Sequence, residues 1–176
     1  MTSSTAIAQT VLRASVGSVL FAHGAQKLFG LFGGHGIAGT AGFFDSIGIK
    51  PAKQTAIAAG LSEAGGGVAL ALGLATPVGA AAAATAMGVA AAQHRDNGFF
   101  ATEGGYEYPA VLGVVAASLL ISGSGPLSLD RLLGGALDRP WMRLVAGAVI
   151  VPSIAVVLTR QAREKSAPVL DLDTDA

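Results

Sequence analysis

Apolar residues fall along the chain in blocks of roughly 20, the number a helix needs to cross a hydrocarbon core about 30 Å thick. The blocks cover residues 7–29, 53–75, 77–94 and 106–124, with a fifth, interrupted by Pro152, over 141–160. The pattern predicts an all-α membrane protein of four spans followed by an additional C-terminal membrane helix. Only Thr76 and Pro77 separate the second block from the third, which predicts a tight turn between antiparallel neighbours with proline opening the later helix. The third block is rich in alanine and glycine, and small side chains let membrane helices approach closely, so it is expected in the interior of the bundle. Gly60 and the run Gly65, Gly66 and Gly67 are read as packing surface in the same way.

The fifth block carries Trp141 as an interfacial anchor and Arg143 and Arg160 as residues able to snorkel. Beyond it the polar end, with Asp171, Asp173 and Asp175, has too little apolar surface to pack and reads as a disordered tail. The chain thus divides into a four-helix membrane domain over 1–139, a membrane helix over 140–160 and a tail over 161–176. The first block lacks a basic leading segment and a small-residue cleavage site, and is expected to be a retained span.

Composition agrees with the membrane reading and narrows the chemistry. Hydrophobic residues make up 52% of the chain and charged residues 12%. A soluble domain carries about 25% charge. Mean hydropathy is +0.60. Eleven basic and eleven acidic side chains leave no basic face for nucleic acid. The absence of cysteine excludes a disulfide, a thiolate metal ligand and a CxxC couple, so electron chemistry would need a bound cofactor or a partner. No metal site is expected.

The long connections 30–52 and 95–105 emerge on one face if the helices alternate in direction. The first holds Phe32, Phe43 and Phe44 among glycines and predicts a short amphipathic segment on the membrane surface; the second adds Phe99 and Phe100. At about 1.5 Å of rise per residue, Lys27 lies about 3 Å inside that face, His23 about 9 Å, and Glu63, entering on the second span, about 15 Å. The three can meet. His94, Tyr106 and Glu107 fall at the same face, whereas Arg13 lies near the opposite one, with Asp130 as its expected partner. An ionisable group inside a span costs at least about 2.5 kcal/mol on insertion scales, so such groups mark sites. Against this, Lys27 is shallow enough to be an interfacial anchor, and Glu63 can serve as a purely structural partner of His23 or Lys27. His35, on the glycine-rich loop, is expected to have no chemistry.

These residues carry a resemblance. The order "HGAQKLFG", "FFDSIGI", "EAGGGVALALGLATPVGA", "GYEYPAVLGV" and "SGSGPLSLD", over roughly residues 10–132, resembles the DoxX family of small bacterial membrane proteins, with mycobacterial members among them. The resemblance implies a four-helix membrane bundle in the cell membrane and a role in membrane-associated redox chemistry. It also implies partners of the kind known for relatives, which include a subunit of an archaeal thiosulfate:quinone oxidoreductase and members linked to superoxide dismutase and a sulfurtransferase in oxidative-stress detoxification. Its pattern falls on His23, Gly24, Lys27, Glu63, Gly66, Gly73, Glu107 and Asp130.

Residues and resemblance together lead to an expected quinone- or sulfur-linked oxidoreductase subunit. A quinone head group needs apolar walls, a donor for each carbonyl and a proton route. Phe29, Phe32 and Phe43 can wall the ring, Lys27 and His23 can donate to it, and Glu63 can exchange protons with water, with His94 and Glu107 at the margin. The alternative is a scaffold that docks soluble redox enzymes, in which His23, Lys27 and Glu63 only hold two helices together. Polar groups that stop about midway across, with no inverted pair of broken helices, argue against a transporter; haem between His23 and His94 rests on two histidines alone, and a homo-oligomer stays open. Orientation depends on the fifth block. If it spans, seven basic residues (Lys27, Lys50, Lys53, Arg95, Arg160, Arg163, Lys165) face three (Arg131, Arg139, Arg143) and the site is cytoplasmic; if it stops short, the count is four against six and the site faces outward.

Overall fold

The computed structural model describes residues 2–166, and it is helical throughout with no strand among the described residues. Helix α1, Ser3–Phe29, starts where the Thr2 hydroxyl accepts from the Thr5 N–H, and stops at Gly30, whose φ of 70° a side chain would strain. The amphipathic segment predicted in the first long connection is α2, Gly36–Ser46. Helix α3, Ala52–Leu72, descends beside α1, and α4, Thr76–His94, returns after a turn through Gly73 and Ala75 with Pro77 in its first turn. Helix α5, Glu107–Ser122, descends again; after the short α6, Leu129–Leu132, the chain climbs back through α7, Pro140–Ala148, and α8, Ile150–Ser166.

By length and composition Ser3–Phe29, Ala52–Leu72 and the combined Pro140–Ser166 are sufficient to cross a membrane, while α5 is a shorter apolar helix. Large apolar side chains such as Val11, Leu61, Val78, Val114, Ile121 and Val151 point outward, whereas the shared core of α1, α3, α4 and α5 relies on Leu20, Leu70, Ala80, Ala83, Ala116 and Leu119. Small residues inside and bulky ones outside is the arrangement expected where lipid is the solvent. Helix α4 lies against α3, α5, α7 and α8, as its small side chains predicted.

The most extensive helix contact joins α1 to α3. A Cβ placed on Gly17 would sit 2.5 Å from the Gly67 carbonyl oxygen, and one on Gly67 would sit 2.5 Å from the Gly17 carbonyl oxygen. Gly24 meets Gly60 and Ala64 one further contact along. Gly65 has open space around its Cβ position, so only part of the glycine run expected to pack does so.

Two expectations, one at each end of the bundle, are corrected. Arg13, fully buried, does not form an ion pair with Asp130. Its Nη1 and Nη2 each donate at 2.6 Å, to the Ser124 and Leu127 carbonyls respectively. These carbonyls lie beyond the end of α5, where no helix turn supplies donors, and a buried carbonyl needs one. Asp130 instead donates its N–H to Gly73 at 3.0 Å and accepts the Leu137 N–H at 3.1 Å. The predicted tail also begins too early. Residues 161–166 continue α8, because buried Gln161 exchanges amide hydrogen bonds with Gln93 at 2.8 and 3.0 Å and donates to the Ile47 carbonyl at 2.9 Å. The rest of the predicted tail lies outside the described residues.

The last helices are tied to the far end through Asp138, which accepts from Arg143 Nε at 2.7 Å and Nη2 at 3.0 Å and from the Ser124 N–H. Burial pushes this carboxyl up, but Arg143 and Ser124 outweigh it and hold its pKa below the ordinary value.

Two outcomes follow from this packing. Gly67→Ala forces the α1 and α3 backbones apart and is expected to cost about 1–3 kcal/mol in detergent-solubilised unfolding. Gly65→Ala, meeting nothing, is expected to be neutral or to gain up to about 1 kcal/mol from helix propensity, and equal effects of the two would refute the close approach. A lowered folded-state pKa stabilises above the ordinary carboxylate value and that contribution is lost as pH falls through the folded value. Asp138→Asn should therefore cost about 1–3 kcal/mol near neutral pH, with the gap in Tm to the parent narrowing below about pH 4. A gap independent of pH would show the pair to be without weight.

Candidate functional site

The close crossing of α1 and α3 decides which side chains meet at the loop face. Lys27 lies one turn beyond His23, and Glu63 enters α3 from the same end, so the pair faces across the helix interface. Lys27 Nζ donates to Glu63 Oε2 at 2.6 Å; Glu63 is 3% exposed, and the lysine side chain keeps about a quarter of its surface open. Without such a partner, a carboxylate at this depth would bear the cost of desolvation uncompensated.

His23 turns the other way around α1 and meets α5. Its Nε2 lies 3.2 Å from the Tyr108 hydroxyl, with the rings tilted at a centroid distance of 5.6 Å. Tyr108 escaped the sequence reading, which took Tyr106 as the aromatic of this end. Residue 106 precedes the helix and packs on Phe99 in the 95–105 loop, while residue 108 has entered α5 and turned toward α1. A tyrosine inside the first turn of an apolar helix, at the depth of His23, is the signal that could have found it.

These groups border a cavity of about 460 Å³. Helix α2 covers one side with Thr40, Phe43 and Phe44, and α3 and α4 supply Ala58, Ala59, Ala86, Val89 and Ala90. The walls are therefore largely apolar, and His23, Lys27, Glu63 and Tyr108 bring two hydrogen-bonded pairs to the same cavity. His94 and Gln93 border the cavity from the end of α4, and His35, expected to be inert, borders it as well. His94 Nδ1 donates to the Gly104 carbonyl at 2.8 Å.

Of the residues singled out from sequence, His23, Lys27, Glu63, Phe43 and His94 come together here. Phe29, Phe32 and Glu107 do not. Phe29, at the end of α1, and Phe32, in the turn after it with a left-handed backbone, are 68% and 67% exposed and do not border the cavity. Glu107 is engaged locally, its Oε2 accepting the Ala101 N–H at 3.0 Å and closing the loop before α5. Phe99 and Phe100 pack on each other in that loop and leave the cavity wall to Phe43 and Phe44. Among the described residues no group of three or more His, Asp or Glu side chains is placed to hold a metal ion.

The arrangement offers an apolar enclosure with an ammonium, an imidazole and a phenol at one end, and a carboxylate behind the ammonium. Such a set can donate hydrogen bonds to an oxygen-bearing ring and move protons between neighbouring groups.

No curated protein and no solved structure matches the chain. The family model described as DoxX matches residues 8–96, half of the chain, from the first turns of α1 to the end of α4. That stretch contains the α1–α3 crossing, the Lys27–Glu63 pair and the greater part of the cavity wall, and it identifies this membrane protein as a member of the DoxX family.

Proposed function

We propose that the chain is the membrane subunit of a redox complex in the cell membrane and binds a quinone-like ligand in the cavity at its loop face. The observation that carries the reading is that the Lys27–Glu63 and His23–Tyr108 pairs border one largely apolar cavity. These parts fit the group. Aromatic Phe43 and Phe44 and the alanines of α3 and α4 suit a flat apolar ring, and Lys27 and the His23–Tyr108 pair suit its two oxygens. When bound, a quinone supplies two-electron, two-proton redox capacity.

The chain's own residues do the rest. Lys27 presents an ammonium whose charge Glu63 balances, so a donor is held at the cavity wall without an isolated buried charge. His23 and Tyr108 share a hydrogen bond through which a proton can pass in either direction, as the imidazole accepts what the phenol releases. Electrons come from a partner, since a cysteine-free chain has no thiol couple of its own. A soluble redox enzyme of superoxide dismutase or sulfurtransferase type fits that role. Reading α1, α3, α4, α5 and the combined α7–α8 as crossings, with α8 ending beside the α2–α3 connection, divides the basic residues seven against three, which supports a cytoplasmic loop face.

Binding of a ubiquinone or menaquinone analogue to the purified protein tests the reading. Glu63→Gln and His23→Ala are expected to weaken it on the order of tenfold to a hundredfold with the helical content intact, while Phe29→Ala leaves it unchanged. Equal binding by all three variants would leave the polar residues as helix fasteners in a scaffold.

A further inference from the structure

Away from the cavity, the end of α8 and the entrance to α3 gather cations. We propose that Lys50, Arg160 and Arg163 form a binding site for the phosphate of an anionic phospholipid, seated in the concavity between the α2–α3 connection and the last turns of α8.

The concavity, of about 530 Å³, is lined by these three residues with Pro51 and Glu164. Its two walls are fixed to one another. Gln161 Nε2 donates to the Ile47 carbonyl at 2.9 Å, and the Lys165 stem lies over Gly48, where an added Cβ would sit 3.2 Å from its Cγ. The spacing between Lys50 and the two arginines is thus held by packing and does not depend on a loose chain end.

Charge favours an anion. Lys50, Lys53, Arg160, Arg163 and Lys165 stand here against Asp45 and Glu164. Asp45 is taken up by Lys50 at 3.1 Å, while Arg160, Arg163 and Lys165 are in no ion pair among the described residues. Guanidinium groups match phosphate oxygens in paired hydrogen bonds.

Depth selects a lipid phosphate. The outward side chains of α8 are apolar at Val151 and Val156 and become polar at Thr159 and Arg160, and α3 begins its apolar course just after Lys53. Both helices cross from hydrocarbon to water at this level, which is where head-group phosphates lie.

Native mass spectrometry of the full-length protein in detergent, titrated with phosphatidylglycerol or phosphatidylcholine, tests the site. The wild type is expected to retain phosphatidylglycerol at least about fivefold better, since each basic residue near an anionic head group contributes about that factor. Arg160→Gln with Arg163→Gln should abolish the preference and Lys50→Gln should reduce it, while Glu164→Gln should increase it. Arg131→Gln with Arg139→Gln, at the far end, should leave it unchanged; all these side chains are exposed or lie in loops, and circular dichroism monitors the fold. Equal retention of the two lipids, or a preference that survives the double arginine change, overturns the proposal. So does displacement of the lipid by equimolar inorganic phosphate, which would assign the site to a free anion. A preference that emerges only after Asp171, Asp173 and Asp175 are all changed to Asn would assign it to the chain's own acidic end and likewise overturn it.

Discussion

The backbones of α1 and α3 touch at Gly17 and Gly67 and again at Gly24, and the rest of the molecule follows from that approach. Lipid provides no hydrophobic force to press helices together, so close van der Waals contact between small residues supplies the attraction. A crossing this tight also fixes register along both helices. Lys27 is brought to Glu63 because Gly24, one turn earlier, has no side chain to hold the helices apart.

Once that register is set, polarity is sorted between the two ends. At the far end Arg13 and Asp138 satisfy loop carbonyls and amides where the helices stop, and these contacts hold chain segments together. At the loop end the polar groups pair across helices and still border a cavity. Lys27 with Glu63 and His23 with Tyr108 link α1 to α3 and α5, while α2 lies across the opening. The difference between a structural end and a candidate site is therefore one of remaining capacity for a ligand.

Much of this was legible in the sequence, because bilayer thickness turns apolar block length directly into helices and residue number into depth. Depth and the reach of the lysine stem made the meeting of Lys27 with Glu63 one of two pairings open to the carboxylate, the other being with His23. What escaped depended on rotation about a helix axis or on irregular backbone, which block patterning does not encode. Phe29 and Phe32 lie at the loop face like the cavity, yet Phe29 is exposed by its rotation on the last turn of α1 and Phe32 stands on the left-handed backbone that follows Gly30. Tyr108 differs from Tyr106 by half a turn of helix, and that half turn separates a partner of His23 from a loop aromatic. Arg13 was matched to a carboxylate by charge, whereas its actual partners are carbonyls, which every residue has and no sequence pattern marks. Gln161 reads as the start of a solvated tail until Gln93 and the Ile47 carbonyl are brought beside it.

The central claim, that a buried ion pair across α1 and α3 anchors the loop-face cavity, is tested most directly by a double-mutant cycle on Lys27→Met and Glu63→Met, read as unfolding free energy in detergent. The account predicts that Lys27→Met, which strands the carboxylate, costs roughly 3 kcal/mol, and that the double change costs far less than the sum of the two single ones. Additive losses, or a Lys27→Met protein as stable as the parent, would contradict it.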